Sequence, residues 1–228
     1  MSHRHLLILL GLVLIAIGIV ERGWMLIAVW LGGDFLALGI AHDRGYHHIF
    51  GKRADGSLPL WSWLVFLPFL VYTSAVWHVL RLISREPAQN EVATDLVVGR
   101  RLLRGEVVGD FENYVDLTAE FPEPRAIRTR AGSLSFPVLD GAAPDTVALH
   151  NAITRLRLGT TFIHCAQGHG RTGLFTLAVM LTSGAAKTVA EGLEKLRAIR
   201  PGIGLSTLQR RCIEKFEADL KTGFTTEH

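Results

Sequence analysis

Apolar positions run without a charge through residues 6–20 and resume through residues 24–41, where Asp34 is the one interruption. A third uncharged run, residues 58–80, is bracketed by Lys52 and Arg53 before it and by Arg81 and Arg85 after it. A single helix from Leu6 to Ala41 would be about 54 Å long, well beyond a hydrocarbon core of about 30 Å. The first two runs must therefore fold back on each other, with Glu21, Arg22 and Gly23 as the hinge. The pattern predicts a membrane module over residues 1–83 with three transmembrane helices, 6–20, 24–41 and 58–80. A cleaved secretory signal is the alternative for the first run, but no small-residue cleavage site follows it.

Beyond residue 83 the periodicity changes. Residues 84–94 are polar around Pro87 and read as a linker. Residues 96–98, 113–117, 133–138 and 160–164 read as short buried strands. Residues 145–158, 173–181, 188–199 and 205–220 read as helices. Strands alternating with helices predict an α/β domain over residues 95–222, a mixed or parallel sheet flanked by helices. Its roughly 130 residues suffice for one core, so it is expected to fold and act without the membrane module.

Charge follows the same division: the first 83 residues hold 10 of the 45 Asp, Glu, Lys and Arg residues. At 49% hydrophobic and 20% charged the 228-residue chain is too apolar for a wholly soluble protein. Two cysteines 47 residues apart do not make a disulfide scaffold. A net charge of +3, with no basic stripe, gives no case for nucleic acid as a partner. Asp34 is an ionisable group inside a predicted span, either functional or bonded to a neighbouring helix. His42, His47 and His48 resemble a metal site only superficially, since no carboxylate or cysteine stands at ligand spacing.

The chemistry concentrates where the strand at 160–164 ends. Cys165 follows at the bend, then Ala166, Gln167, Gly168, His169, Gly170 and Arg171, and helix-forming sequence begins after Thr172 and Gly173. Gly168 and Gly170 let the backbone turn its N–H groups into a nest for a tetrahedral anion, and the following helix adds its N-terminal dipole. Arg171 can make two parallel hydrogen bonds to phosphate oxygens. The same positive field favours a thiolate nucleophile at Cys165. Thr172 can give a hydroxyl hydrogen bond to the sulfur as it departs.

His164, Cys165, Gly168, Arg171 and Thr172 match the His-Cys-x5-Arg-Ser/Thr signature, and the chain here resembles the dual-specificity and protein tyrosine phosphatase superfamily. The resemblance extends over residues 95–99, 113–118, Arg200, Pro201 and Gln209. It implies a phosphoric monoester hydrolase working through a phosphocysteine, with no metal or other cofactor. Cys165, Arg171, Asp140 and Thr172 would be catalytic, and residues 165–171 would bind phosphate. It also implies an aspartate general acid on a mobile loop; Asp140, after Phe136 and Pro137 and 25 residues before Cys165, fits. Asp145 is the alternative acid, or a helix cap.

The family default implies phosphoprotein substrates carrying phosphotyrosine, phosphoserine or phosphothreonine. A phospholipid monophosphate is the alternative, because the apolar runs keep the site near lipid headgroups; a lysine-free loop at Ala166, Gln167 and His169 argues against polyphosphoinositides. A silent phosphate-binding adaptor is disfavoured by the intact Cys165, Arg171 and Asp140. Three crossings would put Arg4, Arg44, Lys52 and Arg53 on the side opposite the catalytic domain. The balance of basic residues is nearly even, and the need for a reduced thiol places the domain on the cytoplasmic side.

Overall fold

The structure, a computed structural model, describes residues 3–106 and 109–223; Met1 and Ser2 of the expected membrane module lie outside them. Helices α1 (His3–Glu21) and α2 (Leu26–Asp43) form the expected antiparallel hairpin, joined by a single 3-10 turn, Gly23–Met25. The two backbones touch. A Cβ on Gly11 would lie 2.7 Å from the Gly32 carbonyl oxygen, and one on Gly32 equally close to that of Gly11, so only glycine permits this crossing. Gly23–Asp43 is long and apolar enough to cross a membrane, while the other two apolar helices are shorter.

The third apolar run departs from expectation. It splits into α3 (Leu60–Val65) and α4 (Leu67–Ile83) at Phe66. Pro68, in the first turn of α4, has no N–H for the Leu64 carbonyl and its ring would clash with that carbonyl in a continuous helix. Nor does α4 lead away from the rest of the chain. Phe66, Phe69 and Leu70 share an apolar cluster with Ala119, Val138, Leu139 and Ala142. Near the other end, the Trp77 indole N–H donates to the Ala166 carbonyl at 2.8 Å. Asp34 accepts the Phe69 N–H at 3.3 Å, so this carboxylate ties α2 to the first turn of α4.

The connection between α2 and α3 also docks on the C-terminal half. Lys52 is buried against Asp116 and Thr118, Asp55 pairs with Arg128 at 3.1 Å, and the Glu123 N–H donates to the Gly56 carbonyl. Lys52, expected to be set apart from the C-terminal half, is therefore packed inside it.

The C-terminal half is built from β1 (Gln89–Ala93), β2 (Leu96–Arg100), β3 (Asn113–Thr118), α5 (Arg125–Arg128), β4 (Ser133–Val138), α6 (Thr146–Ile153), β5 (Thr161–Cys165), α7 (Gly170–Ser183), α8 (Val189–Ile199) and α9 (Thr207–Thr222). The sheet is mixed, in the order β1-β2-β5-β3-β4, parallel except for β1. β1 lies inside residues 84–94, so five of the eleven residues of the expected linker form an edge strand. α6 ends at Ile153, short of the expected 158, because the Asn113 side chain takes both the N–H and the carbonyl of Arg157 at 2.9 Å. β5 is buried along its whole length and α7 is buried on almost every face, so this strand and helix form the centre of the core. Cys165 closes β5 opposite Arg100 of β2, at the carboxyl edge of the parallel strands where such sheets form crevices.

Candidate active site

Cys165 is buried at the end of β5, and the chain then loops through residues 166–169 into α7. That helix begins at Gly170, three residues earlier than expected, so Arg171 and Thr172 both stand in its first turn. The turn depends on Gly168, whose φ is +75° and where a Cβ would meet the Gly99 carbonyl at 2.4 Å.

The loop's carbonyls are held from outside. Ala166 O accepts from Trp77 and from the Arg101 N–H at 3.2 Å. Arg200 donates to Gln167 O and Gly168 O, each at 2.9 Å, and also to Pro87 O and Asn90 Oδ1. With its carbonyls engaged on the outer side, the loop can aim its N–H groups inward, the geometry of an anion nest. At the rim, the Glu86 carboxylate meets His169 Nε2 at 2.7 Å and Arg200 Nη2 at 3.2 Å. Burial would raise the Glu86 pKa, but these partners and the Gly202 N–H outweigh it and hold the carboxyl below its ordinary value.

Arg171 is buried, and its Nη1 and Nη2 donate to Glu120 at 2.8 Å each. Nη1 also reaches the Val138 carbonyl at 3.0 Å, and Nη2 lies 3.3 Å from Asp140 Oδ1. Burial opposes the guanidinium charge; Glu120 and Asp140 override it and raise the pKa well above the ordinary arginine value. The Nε atom is buried with no protein partner, which leaves one donor for an oxyanion. The two parallel bonds expected to reach phosphate are thus committed to Glu120, and phosphate must draw on Nε and on the Nη2 edge that Asp140 now faces.

Asp140, Cys165, Arg171 and loop residues Ala166, Gln167, His169 and Gly170 line one cleft. The segment carrying Asp140 is tied down on several sides. His47 Nε2 meets Ala143 O at 3.1 Å, and the Leu139 N–H points to His47 Nδ1 at 3.4 Å. Ser206 Oγ donates to Gly141 O and Gln209 Nε2 to Ala142 O. Burial lowers the His47 pKa, which keeps the ring neutral and able to serve both contacts. The Asp140 side chain itself stays 74% exposed. Asp145 is the cap of α6, accepting from the Val147 and Ala148 N–H groups, and is not part of this cleft.

Thr172 Oγ1 is buried with no hydrogen-bond partner, so the expected bond to the cysteine sulfur is not made here. Of the three loop histidines weighed as metal ligands, His47 instead braces the Asp140 segment and His42 lines the cleft. Asp116, Glu123 and His164 do converge within 4.8 Å, but the Lys52 ammonium already pairs with Asp116, and His164 Nε2 stands 3.3 Å from Glu123 Oε1. Sequence reasoning missed Glu120, Arg200 and Lys52 as parts of the site. Glu120 carried one usable signal, its place two residues past the carboxyl end of β3.

No protein-family model and no curated protein matches the chain. Solved structures do. Tk-PTP in its active form aligns over 58% of this chain and 97% of its own, with 23% identity and a TM-score of 0.52. Human DUSP28 aligns over 60% and 97%, with 17% identity and a TM-score of 0.52. PTPMT1, solved in complex with PI(5)P, aligns over 60% and 98%, with 14% identity and a TM-score of 0.50. The C-terminal half has the fold of the dual-specificity and protein tyrosine phosphatases.

Proposed function

We propose that this chain, with its tyrosine-phosphatase fold and its N-terminal apolar helices, is a membrane-tethered cysteine-dependent phosphomonoesterase. One observation carries the reading: Cys165, the buried Arg171 and the exposed Asp140 converge on a single cleft at the N-terminus of α7. The Cys165 sulfur attacks phosphorus in line, forming a P–S bond as the P–O bond to the leaving alcohol breaks. Asp140 protonates the departing oxygen, and the resulting carboxylate then takes a proton from the water that attacks the phosphocysteine. Arg171 and the loop amides hold the oxyanion through both steps. The unpartnered Thr172 hydroxyl is available to the sulfur when it leaves as thiolate.

The α1–α2 hairpin is the membrane anchor in this reading, and α4 lies along the catalytic domain at the lipid interface. Exposed Trp24 at the hairpin turn suits a headgroup contact. Both cysteines are free, in keeping with a domain on the reducing, cytoplasmic side.

The test is Cys165→Ser in the full chain. Turnover of an aryl phosphate should fall below about 1% of the parent value while vanadate still binds, because a serine hydroxyl is a far weaker nucleophile than a cysteine sulfur. Turnover above that level would move the nucleophile elsewhere.

A further inference from the structure

The cleft that holds Cys165 and Arg171 does not end at the phosphate loop. It continues, with a volume of about 520 Å³, between α1, α2 and α4. Its far walls are Leu6, Leu10, Leu38, Phe69, Tyr72 and Val76, with His42 and Thr73 also on the lining, and the charged Glu120, Asp140 and Arg171 stand together beside Cys165. Leu6, Leu10, Tyr72 and Val76 are each more than a third exposed, so the cleft is open along an apolar flank.

The hairpin fixes where that flank lies. The start of α1 and the end of α2 line the cleft, whereas the turn at Gly23–Met25 is at the other end of both helices. From Leu10 to Glu21 about 16 Å of apolar helix therefore extends beyond the cleft. A molecule whose phosphate sits over Cys165 has a continuous hydrocarbon path from the loop to the lipid-facing surface of the hairpin.

We propose that the substrate is a lipid phosphomonoester whose leaving alcohol bears hydrocarbon chains lying between α1, α2 and α4; this rests on Cys165 being the nucleophile. A phosphopeptide suits the cleft poorly, because an extended backbone needs hydrogen-bond partners that these leucine, phenylalanine and valine walls do not offer. Arg171 is already neutralised by Glu120 and Asp140, which matches one monoester rather than a headgroup with several phosphates. The reaction takes the lipid phosphate and water to the lipid alcohol and inorganic phosphate. The P–O bond to lipid breaks, its oxygen gains the Asp140 proton, and the proton returns from water in the second step. An alkyl alcohol is a poor leaving group, which is the case in which that acid matters most.

The experiment uses the full chain in mixed micelles of fixed composition. It compares para-nitrophenyl phosphate, a series of alkyl phosphates from four to sixteen carbons, dioleoyl phosphatidic acid and a phosphotyrosine peptide. The expected result is kcat/KM rising roughly three- to fourfold per methylene until the cleft is filled, with the peptide at least tenfold below the longest alkyl phosphate. Val76→Trp and Leu38→Trp should each lower the long-chain to short-chain ratio tenfold or more. Aryl-phosphate hydrolysis with no dependence on chain length, or a preference for the peptide, overturns the lipid assignment and leaves the phosphatase reading standing. No hydrolysis of para-nitrophenyl phosphate would overturn both.

Discussion

The Lys52 ammonium, from the loop after the helical hairpin, is buried on the Asp116 carboxylate of β3 and donates to the Thr118 carbonyl at 2.6 Å. Asp116 stands opposite His164 in the sheet, and His164 immediately precedes Cys165. A cation from the apolar third of the chain thus reaches, through Asp116, the strand position next to Cys165, inside the other half's core.

Lys52→Met should destabilise the full chain by about 3–5 kcal/mol, since it leaves Asp116 buried without its counter-charge. Adding Asp116→Asn to Lys52→Met should recover part of the loss, so the double variant falls short of the sum of the singles. Denaturant midpoints of the three variants check this, and strict additivity would mean the pair is not coupled.

A fragment of residues 90–228 should lose activity on a soluble aryl phosphate along with activity on lipid. It lacks Lys52, the Trp77 contact to Ala166 and the His47 brace on the Asp140 segment. Measuring both substrates with full-length chain and fragment decides it. A fragment with a kcat on aryl phosphate within a few-fold of the full chain would show that the halves are separable after all.

Asp140→Asn should lower turnover of alkyl phosphates by roughly 10²- to 10⁴-fold and that of activated aryl phosphates far less. The same substitution should tighten vanadate binding several-fold, because the carboxylate 3.3 Å from Arg171 Nη2 no longer competes with the oxyanion. Weaker vanadate binding would contradict that competition.

His164 gives the fold a pH dependence of known sign. Burial lowers its pKa, but Glu123, 3.3 Å away, and Asp116 outweigh both that and Lys52 and raise it above the ordinary 6.5. Protonated His164 therefore contributes stability in full below about pH 6.5, and the contribution fades as pH rises through the elevated value. Glu123→Gln should flatten this alkaline loss. Urea midpoints between pH 6 and 9 report it, and an unchanged slope in Glu123→Gln would place the titration elsewhere. On the acid side Asp116 acts in the opposite sense: burial raises its pKa, Lys52 and His164 lower it further than that, and stability falls only as pH drops through the depressed value.

What could be read from the chain was what neighbouring residues decide together. The hairpin followed from two uncharged runs around Glu21, Arg22 and Gly23, and the strand, loop and helix start around Cys165 from residues 164–173. Asp140, singled out through the family resemblance, lines the same cleft as Cys165. Pairings between distant residues left no local trace. Lys52 read only as a charge before the third apolar run, because nothing near it in the chain announces Asp116, 64 residues on. Arg200 looked like part of a helix ending. The break in the third apolar run was visible in Pro68, but a count of charges weighs side-chain polarity and ignores a missing backbone donor. β1 was lost in a polar stretch because an edge strand buries too little to show an alternating pattern.

The four acceptors of Arg200 give the molecule an order of completion. Pro87, Asn90, Gln167 and Gly168 are all made before Arg200 during synthesis, and until it arrives the Gln167 and Gly168 carbonyls lack the donor that holds them. A ribosome-bound chain that already contains Cys165 and Arg171 therefore still lacks part of the bonding that fixes the loop between them. The loop after Cys165 is completed only once the residue that follows α8 has joined it to Asn90 of β1.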